Sequence, residues 1–192
     1  MAASKSGERK TQILNTLAEM LEHPKGERIT TAALAARLQV SEAALYRHFA
    51  SKAQMFEGLI EFIENSIFGL MNVIAETETS GVVQTRKAIV MLLSFSERNR
   101  GMTRVLIGDA LVSEDDRLQE RMNQFFDRIE ASLRQCLRTA LALNELPPTD
   151  DIHARANLIL HFVLGRWHRY AKNAWKKPPT EYLDTQMRIL LA

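Results

Sequence analysis

The run SEAALYRH, which starts at position 41, holds the side chains with the clearest chemical potential in this chain. Two of them, Ala43 and Ala44, are small enough to let a helix backbone approach the major groove of DNA and touch a thymine methyl group. Donors for phosphate oxygens come from Tyr46, Arg47 and His48. The run therefore predicts a helix whose small residues face base edges while its longer residues hold the DNA backbone.

Two short helices and a tight turn are needed to position this run. Thr30 or Thr31 can cap a first helix, whose apolar residues share one face of the 3.6-residue period. Gln39 and Val40 form the break, and Ser41 caps the second helix. The predicted inward face of the second helix is Ala44, Leu45 and Phe49. We interpret this unit as a helix-turn-helix; the alternative is an ordinary pair of short helices in an all-helical protein.

A longer helix is predicted to begin after Ser51. The residues Ser-Lys-Ala-Gln form a capping box there, which places Lys52 and the positive end of the helix where a phosphate can dock. Arg9 and Lys10 lie beside a flexible N-terminal arm with Ser4 and Lys5, which either follows the DNA backbone or only increases solubility. The predicted DNA-binding residues are Thr30, Thr31, Ser41, Glu42, Ala43, Ala44, Tyr46, Arg47, His48 and Lys52.

The segment from Ile29 to Phe56 resembles the TetR family, a class of dimeric bacterial helix-turn-helix proteins with a variable helical body. The residues that carry the resemblance are Thr31, Leu34, Ala35, Val40, Ser41, Leu45, Tyr46, His48, Phe49 and Lys52. The family usually has glycine in the turn, where this chain has Gln39. Because a non-glycine residue in a left-handed turn costs about 1 kcal/mol, we expect some strain at this position.

Charge is divided unevenly along the chain. Residues 1–56 hold eight Lys/Arg and five Asp/Glu, whereas residues 57–192 hold seventeen and eighteen, although the whole chain carries only +2. A basic head duplicated in a dimer is compatible with DNA binding. We therefore divide the chain into a DNA-binding domain (1–52) and a helical domain for partner binding and dimerisation (53–192).

Every informative segment has a helical period, so the fold class is all-α, with about nine helices expected. Beyond the two short helices, the predicted ranges are 9–22, 51–76, 82–98, 102–112, 114–143, 150–175 and 180–191. The fourth helix, which links head and body, has a predicted inward stripe of Phe56, Leu59, Ile60, Ile63, Ile67, Leu70, Met71 and Ile74. No stretch is expected to span a membrane, and the N-terminus lacks the apolar core of a secretory signal, so we expect a cytoplasmic protein.

The helix predicted at 150–175 is apolar around much of its circumference. Such a helix needs a second partner, and the same helix of another subunit is the simplest one, giving a four-helix dimer bundle with the last helix. The predicted dimer contacts are Leu160, Leu164, Trp167 and Ala171. A dimer also spaces two recognition helices about 34–36 Å apart, as successive major grooves require.

Enzymatic chemistry has little support in the sequence. His153, His161 and His168 cannot share one helical face, and no phosphate loop, zinc-spaced cysteine pair or nucleophile motif is present. The single cysteine, Cys136, excludes an internal disulfide and is predicted to be a buried small hydrophobe. We expect no metal, no cofactor and no catalytic residue.

Four runs carry a narrower resemblance, to the nucleoid occlusion factors within the TetR family: SEAALYRHFASK, LIEFIENS, ERNRGMTRVLIGDAL and EDDRLQERMNQFFDRIEASLRQCLR. The part after Leu141 resembles them weakly. The resemblance implies a nucleoid-associated protein that, when bound to chromosomal DNA as one or two dimers per site, binds the tubulin-like protein FtsZ and prevents a division ring over the chromosome. The alternative is a conventional TetR-type repressor, whose body encloses a small-molecule pocket and releases DNA when the pocket is filled.

The resemblance places the FtsZ surface along the fourth and fifth helices, and the residue pattern agrees. Phe62 lies about 120° from the centre of the apolar stripe, among the small residues Gly58, Ser66 and Gly69. This arrangement predicts a shallow groove for an extended, apolar and acidic peptide, with Arg98 pairing with a carboxylate. The alternative for Phe62 is packing against another helix. The predicted FtsZ-binding residues are Phe62, Ser66, Gly69, Met91, Arg98 and Asn99.

Overall fold

The computed structural model describes residues 2–22, 29–112, 114–149 and 151–192, with side chains of 2–6 excluded. These residues form nine α-helices and one 3₁₀ turn, as the all-α prediction requires. The helices are α1 (Ala2–Leu21), α2 (Thr31–Arg37), α3 (Glu42–Tyr46), α4 (Lys52–Thr77), α5 (Gly81–Arg98), α6 (Arg100–Leu106), α7 (Asp116–Ala142), α8 (Ile152–Lys172) and α9 (Leu183–Leu190). The 3₁₀ turn is Asp109–Leu111.

Several predicted helix boundaries differ from the structure by two or more residues; α8, for example, ends at Lys172 rather than at residue 175. Helix α1 starts at Ala2 rather than at Arg9, so the segment predicted as a flexible arm belongs to this helix. Helix α6 ends at Leu106, because the chain then turns through Gly108, whose φ is 80°. The last helix begins at Leu183, three residues later than predicted. The predicted loop at residues 23–26 and the side chains of Ser4 and Lys5 lie outside the described residues.

The body is built around α7, which packs against α4, α5 and α8. Trp167 of α8 is fully buried, and its indole nitrogen donates to the carbonyl of Leu92 in α5 at 3.1 Å. Phe125 of α7 meets Phe68 of α4 edge to face, with ring centroids 5.5 Å apart. A Trp or Phe that is this well buried contributes about 3–5 kcal/mol relative to alanine, so these rings anchor the body.

Helix α4 follows its predicted stripe except at Leu70, which is 48% exposed. By length and composition alone α4 would be able to cross a membrane, a test that core helices of soluble proteins also pass. One side of α4 packs into the core through residues such as Ile63 and Ile67, and the other side also carries apolar residues. Helix α4 is hydrophobic overall because both of its sides carry apolar residues. The described part of this chain covers only one of these sides.

The head docks on the body through the close approach of α1 and α6. A Cβ atom added to Gly101 would lie 1.8 Å from the carbonyl oxygen of Ala18, so no larger residue fits between these backbones. The end of α1 also receives two donors from the body. The Arg104 guanidinium lies 3.4 Å from the carbonyl of Leu21, and the Trp175 indole lies 3.2 Å from that of Glu22. These donors satisfy carbonyls that a helix end leaves unpaired.

Candidate nucleic-acid interface and partner surface

The helix-turn-helix has the predicted caps. The Thr30 hydroxyl accepts from the amide of Ala33 at the start of α2, and the Ser41 hydroxyl accepts from the amide of Ala44 at the start of α3. Between the helices, Gln39 has a φ of 54°, which confirms the left-handed turn expected at this position. The recognition helix α3 is therefore held at both the turn and its N-terminus.

The structure separates the predicted DNA-binding residues from the residues that anchor α3. Leu45 and Phe49 are buried, as predicted, and they fix the helix on the head. The residues that the structure leaves exposed are Thr30, Ser41, Glu42, Ala43, Tyr46 and Arg47. Those that are half-buried are Thr31, Ala44, His48 and Lys52. An exposed row of small and donor side chains along one short helix matches the geometry of a major-groove reader.

Three of the predicted DNA-binding residues also bond to one another. The Thr31 hydroxyl donates to the Glu42 carboxylate at 2.5 Å, and the Tyr46 hydroxyl donates to Thr31 Oγ1 at 3.4 Å. This network ties α2 to α3 and orients the Tyr46 ring. The sequence pattern did not reveal it, because the partners are 11 and 15 residues apart on different helices.

The N-terminus of α4 has reciprocal capping. The Ser51 hydroxyl accepts from the amide of Gln54 at 3.1 Å, and the Gln54 side chain accepts from the amide of Ala50 at 2.8 Å. In a standard capping box the second donor would be the amide of Ser51, one residue later. Lys52, predicted to face a phosphate, forms an ion pair with Glu114, which lies just before α7. Sequence reasoning missed this pair, because its two residues lie 62 positions apart in the chain.

The α4 side of the predicted partner surface is apolar and accessible. Phe62 is 39% exposed, and the space beside Gly69 is open, since an added Cβ would have no neighbour within 4 Å. Ser66 turns its hydroxyl back to the carbonyl of Phe62 at 2.8 Å. Leu70 and Val73, which the prediction omitted, extend the exposed apolar strip along α4. We call the strip Phe62, Ser66, Gly69, Leu70 and Val73 the α4 strip.

Gly58 does not belong to this groove. A Cβ atom on Gly58 would lie 3.0 Å from the Phe49 ring and 3.4 Å from Leu14, so this glycine lies at the joint between head and body. The periodicity of α4 could not reveal this role, since Gly58 precedes Phe62 by one turn and shares its face. Tertiary packing against α1 decides its role.

Of the remaining predicted partner residues, Arg98 and Asn99 at the end of α5 lie beside α1 of the head. Met91 is half-buried, and Asn99 donates from its side-chain amide to the carbonyl of Phe95 at 2.8 Å. Arg98 is exposed, and no described residue forms an ion pair with it. A cavity of about 210 Å³ brings Arg98 and Asn99 together with α1. The α1 residues that line this cavity are Asn15, Ala18, Glu19 and Glu22.

The predicted dimer contacts need correction. Trp167 and Leu160 are buried inside their own chain, because this side of α8 faces α5 and the core, so they offer no surface to a second subunit. Leu164 and Ala171 are half-buried. The outer side of α8 carries Leu158, which is 58% exposed, and α9 carries Ile189, which is 73% exposed. Further outer residues of α8 are Phe162 and Gly165.

Among the described residues, no group of three His, Cys, Asp or Glu side chains is placed to hold a metal ion. Burial raises the pKa of the Cys136 thiol, which lies on the inner side of α7.

The exposed helix α3 offers hydrogen-bond donors, and the α4 strip offers apolar surface.

Comparison with known proteins identifies the family. Residues 13–59 match the family model of the bacterial regulatory proteins of the tetR family, and residues 79–192 match the SlmA-like model of the tetracyclin repressor-like C-terminal domain. The nucleoid occlusion factor SlmA of Photobacterium profundum is 48% identical over 194 residues, covering 100% of this chain and 98% of that protein. The chain belongs to the SlmA family of TetR-type proteins.

Other SlmA relatives have similar identity. The SlmA of Marinomonas sp. is 45% identical, covering 98% of this chain and 95% of its own, and that of Idiomarina loihiensis is 44% identical, covering 98% and 96%. Members of the SlmA family therefore align with this chain from the head through the body. DNA binding through a helix-turn-helix follows from this membership.

Solved structures support the fold beyond the SlmA family. The transcriptional regulator FadR from Bacillus subtilis, in complex with stearoyl-CoA, has a TM-score of 0.81 at 13% identity and covers 95% of this chain and 97% of its own. The regulator KstR2 of Mycobacterium tuberculosis has a TM-score of 0.73 at 16% identity, covering 95% and 93%. At these identities the similarity shows the TetR architecture alone.

Proposed function

We propose that this chain is a nucleoid occlusion factor of the cytoplasm: bound to chromosomal DNA as a dimer, it binds FtsZ and blocks ring assembly over the nucleoid. The observation that carries the proposal is the coexistence of two separate surfaces. One is the exposed recognition helix α3, and the other is the α4 strip. The names of the relatives supply the process, since SlmA proteins are nucleoid occlusion factors.

The DNA surface is formed by α3 and its surroundings. Ala43 is exposed and small, which suits contact with base edges, whereas Tyr46 and Arg47 extend donors from the same helix. Thr30 and Ser41 lie at the helix N-termini, where backbone amides also attract phosphate.

An Arg47→Ala variant tests the phosphate role. Loss of one phosphate contact should weaken binding to every duplex. It should also reduce the steepness of the plot of the logarithm of the association constant against the logarithm of salt concentration by about 0.9 per head. Fluorescence anisotropy on specific and unrelated duplexes measures both quantities. Arg138→Ala, an exposed arginine of α7, is the matched control and should change neither. An unchanged affinity for Arg47→Ala would remove this residue from the interface.

The partner surface is proposed along the α4 strip and the end of α5. Phe62, Leu70 and Val73 offer apolar contacts on one helix face, and Gly69 leaves room for a peptide backbone. Arg98 and Asn99, at the end of α5, line a cavity beside α1, and Arg98 can pair with an acidic side chain of the partner. These contacts fit an extended peptide that has both apolar and acidic residues.

Assembly of purified FtsZ, followed by light scattering with and without a specific duplex, is the decisive experiment. The expected result is a reduction of FtsZ polymer that is larger when the duplex is present. Phe62→Ala and Arg98→Asp should lose this effect and keep DNA binding, whereas Leu143→Ala, at an exposed leucine just after α7, should keep both. Lack of any DNA-enhanced effect on FtsZ would reject the proposal.

The dimer is proposed to form through the outer side of α8 together with α9. Leu158 and Ile189 expose large aliphatic side chains there, and the open space at Gly165 allows close approach of a second helix. Analytical ultracentrifugation at micromolar concentration should show a dimer. Leu158→Glu should produce a monomer, while Leu143→Glu, just after the end of α7, should leave the dimer intact.

The alternative function is a ligand-responsive repressor. A cavity of about 260 Å³ between α4, α5 and α7 favours it, with Met71, Gln84 and Cys136 among its lining residues. Pockets for drug-sized ligands usually measure about 300–1,000 Å³, and the buried rings of Trp167 and Phe125 fill the rest of the body centre. The cavity lies just below this range.

A further inference from the structure

Lys52 is the only basic residue of α4, and it is already paired within the chain. Its ammonium group forms an ion pair with the carboxylate of Glu114, and the two side chains are only 24% and 12% exposed. The ammonium also lies 5.7 Å from the centroid of the Phe56 ring. A half-buried ion pair beside an aromatic ring is screened by water less than a surface pair. Lys52 is thus held by the body in the DNA-free protein.

Two further ion pairs connect α4 to α7, but with the charges reversed. Arg121 pairs with Glu64 at 2.8 Å, and Arg117 pairs with Glu57 at 3.4 Å. In both of these pairs α4 supplies the carboxylate. Only at the head end does α4 supply the cation, next to the recognition helix. Loss of the Lys52 pair therefore leaves the other two pairs to hold α4 on α7.

We propose that Glu114 is an autoinhibitory partner of Lys52, which holds the lysine away from phosphate until DNA displaces it. The inference rests on the proposed role of Lys52 as a phosphate contact. A phosphate at the N-terminus of α4 competes with Glu114 for the same ammonium group, so part of the binding free energy of DNA is used to break the pair. DNA binding in turn frees the carboxylate of Glu114 in the segment before α7.

Glu114→Gln tests this contact, since it keeps the shape of the side chain and removes its charge. Each head should bind DNA about threefold to fivefold more tightly, because DNA no longer has to break the ion pair. This gain matches the strength of a partly exposed ion pair. Asp116→Asn is the charge-matched control, because Asp116 is exposed two residues away and pairs with no described cation. A general loss of negative charge near DNA would affect both variants equally.

The same substitution in a Lys52→Met background isolates the pair. Without Lys52, Glu114→Gln should leave DNA affinity unchanged, because the carboxylate no longer has a cation to hold. An equal gain in both backgrounds, or a gain matched by Asp116→Asn, would overturn the proposal. Lys52→Met alone should weaken DNA binding; if it does not, the phosphate role fails and the autoinhibition with it.

The failure of the inference is distinguishable from that of the proposed function. Should Lys52→Met weaken DNA binding while Glu114→Gln has no effect, only the autoinhibition is wrong. Thermal unfolding of each variant shows whether the fold is retained. Glu114→Asp provides a second variant that keeps the charge but shortens its reach, and it should bind DNA more tightly than the wild type and less tightly than Glu114→Gln.

Discussion

Gly101→Ala should uncouple the head from the body. The added Cβ would lie 1.8 Å from the carbonyl oxygen of Ala18, whereas real Cβ contacts stay above 3.0 Å, so α1 and α6 must separate by at least about 1.2 Å. The Ala18 oxygen is a backbone atom, which cannot rotate away as a flexible side chain can. Overpacking of this kind costs about 1–3 kcal/mol.

The expected cost corresponds to a fall in melting temperature of roughly 2–12 °C for a chain of this size. Displacement of α1 also moves the turn and α3, so DNA affinity should fall by more than about tenfold, since small errors in the spacing of two recognition helices affect both half-sites. Circular dichroism follows unfolding, and anisotropy with a specific duplex follows binding.

Gly69→Ala is the matched control, because an added Cβ there would have no neighbour within 4 Å. This substitution in the middle of α4 should stabilise the protein by about 0.5–1 kcal/mol and leave DNA binding unchanged. The reasoning is refuted if Gly101→Ala melts and binds DNA like Gly69→Ala, since the close contact of α1 and α6 would then have no energetic consequence.

Three other predictions concern single positions. Gln39→Gly should raise the free energy of unfolding by up to about 1 kcal/mol, measured by urea denaturation, because its φ of 54° suits glycine. Trp167→Phe should lower the free energy of unfolding by about 2–3 kcal/mol, since it removes the hydrogen bond to Leu92 and leaves a void. Val112→Ala, at an exposed site, is the control. A smaller loss of stability for Trp167→Phe than for Val112→Ala would contradict the prediction. Because burial raises the pKa of Cys136, its thiol should stay protonated near pH 8. The folded protein should therefore react with iodoacetamide far more slowly than the protein unfolded in urea. Equal reaction rates would place the thiol at the surface.

Local signals predicted the helix-turn-helix well. Thr30, Ser41 and Ser51 cap helices through bonds to amides three residues away, so each cap is encoded within a few positions. The left-handed turn at Gln39 followed from the resemblance to the TetR family. Periodicity also predicted most of the buried side of α4.

Contacts between distant residues could not be predicted in this way. Periodicity shows that a side of α8 is apolar, but not whether α5 or a second subunit covers it, and Trp167 was assigned to the wrong partner for this reason. The pairing of Lys52 with Glu114 joins residues 62 positions apart. Leu70 fits the apolar stripe by spacing alone, yet no neighbouring helix covers that turn of α4.

The bond from the Trp175 indole to the carbonyl of Glu22 has a consequence for biosynthesis. It joins residues 153 positions apart, so the end of α1 receives this donor only after most of the chain has been made. At translation rates of about 5–20 residues per second, the complete head, which ends at residue 52, emerges from the ribosome roughly 6–25 seconds before Trp175. During that interval the nascent chain holds a DNA reader without its full support, and the finished body completes the docking of a head that was made first.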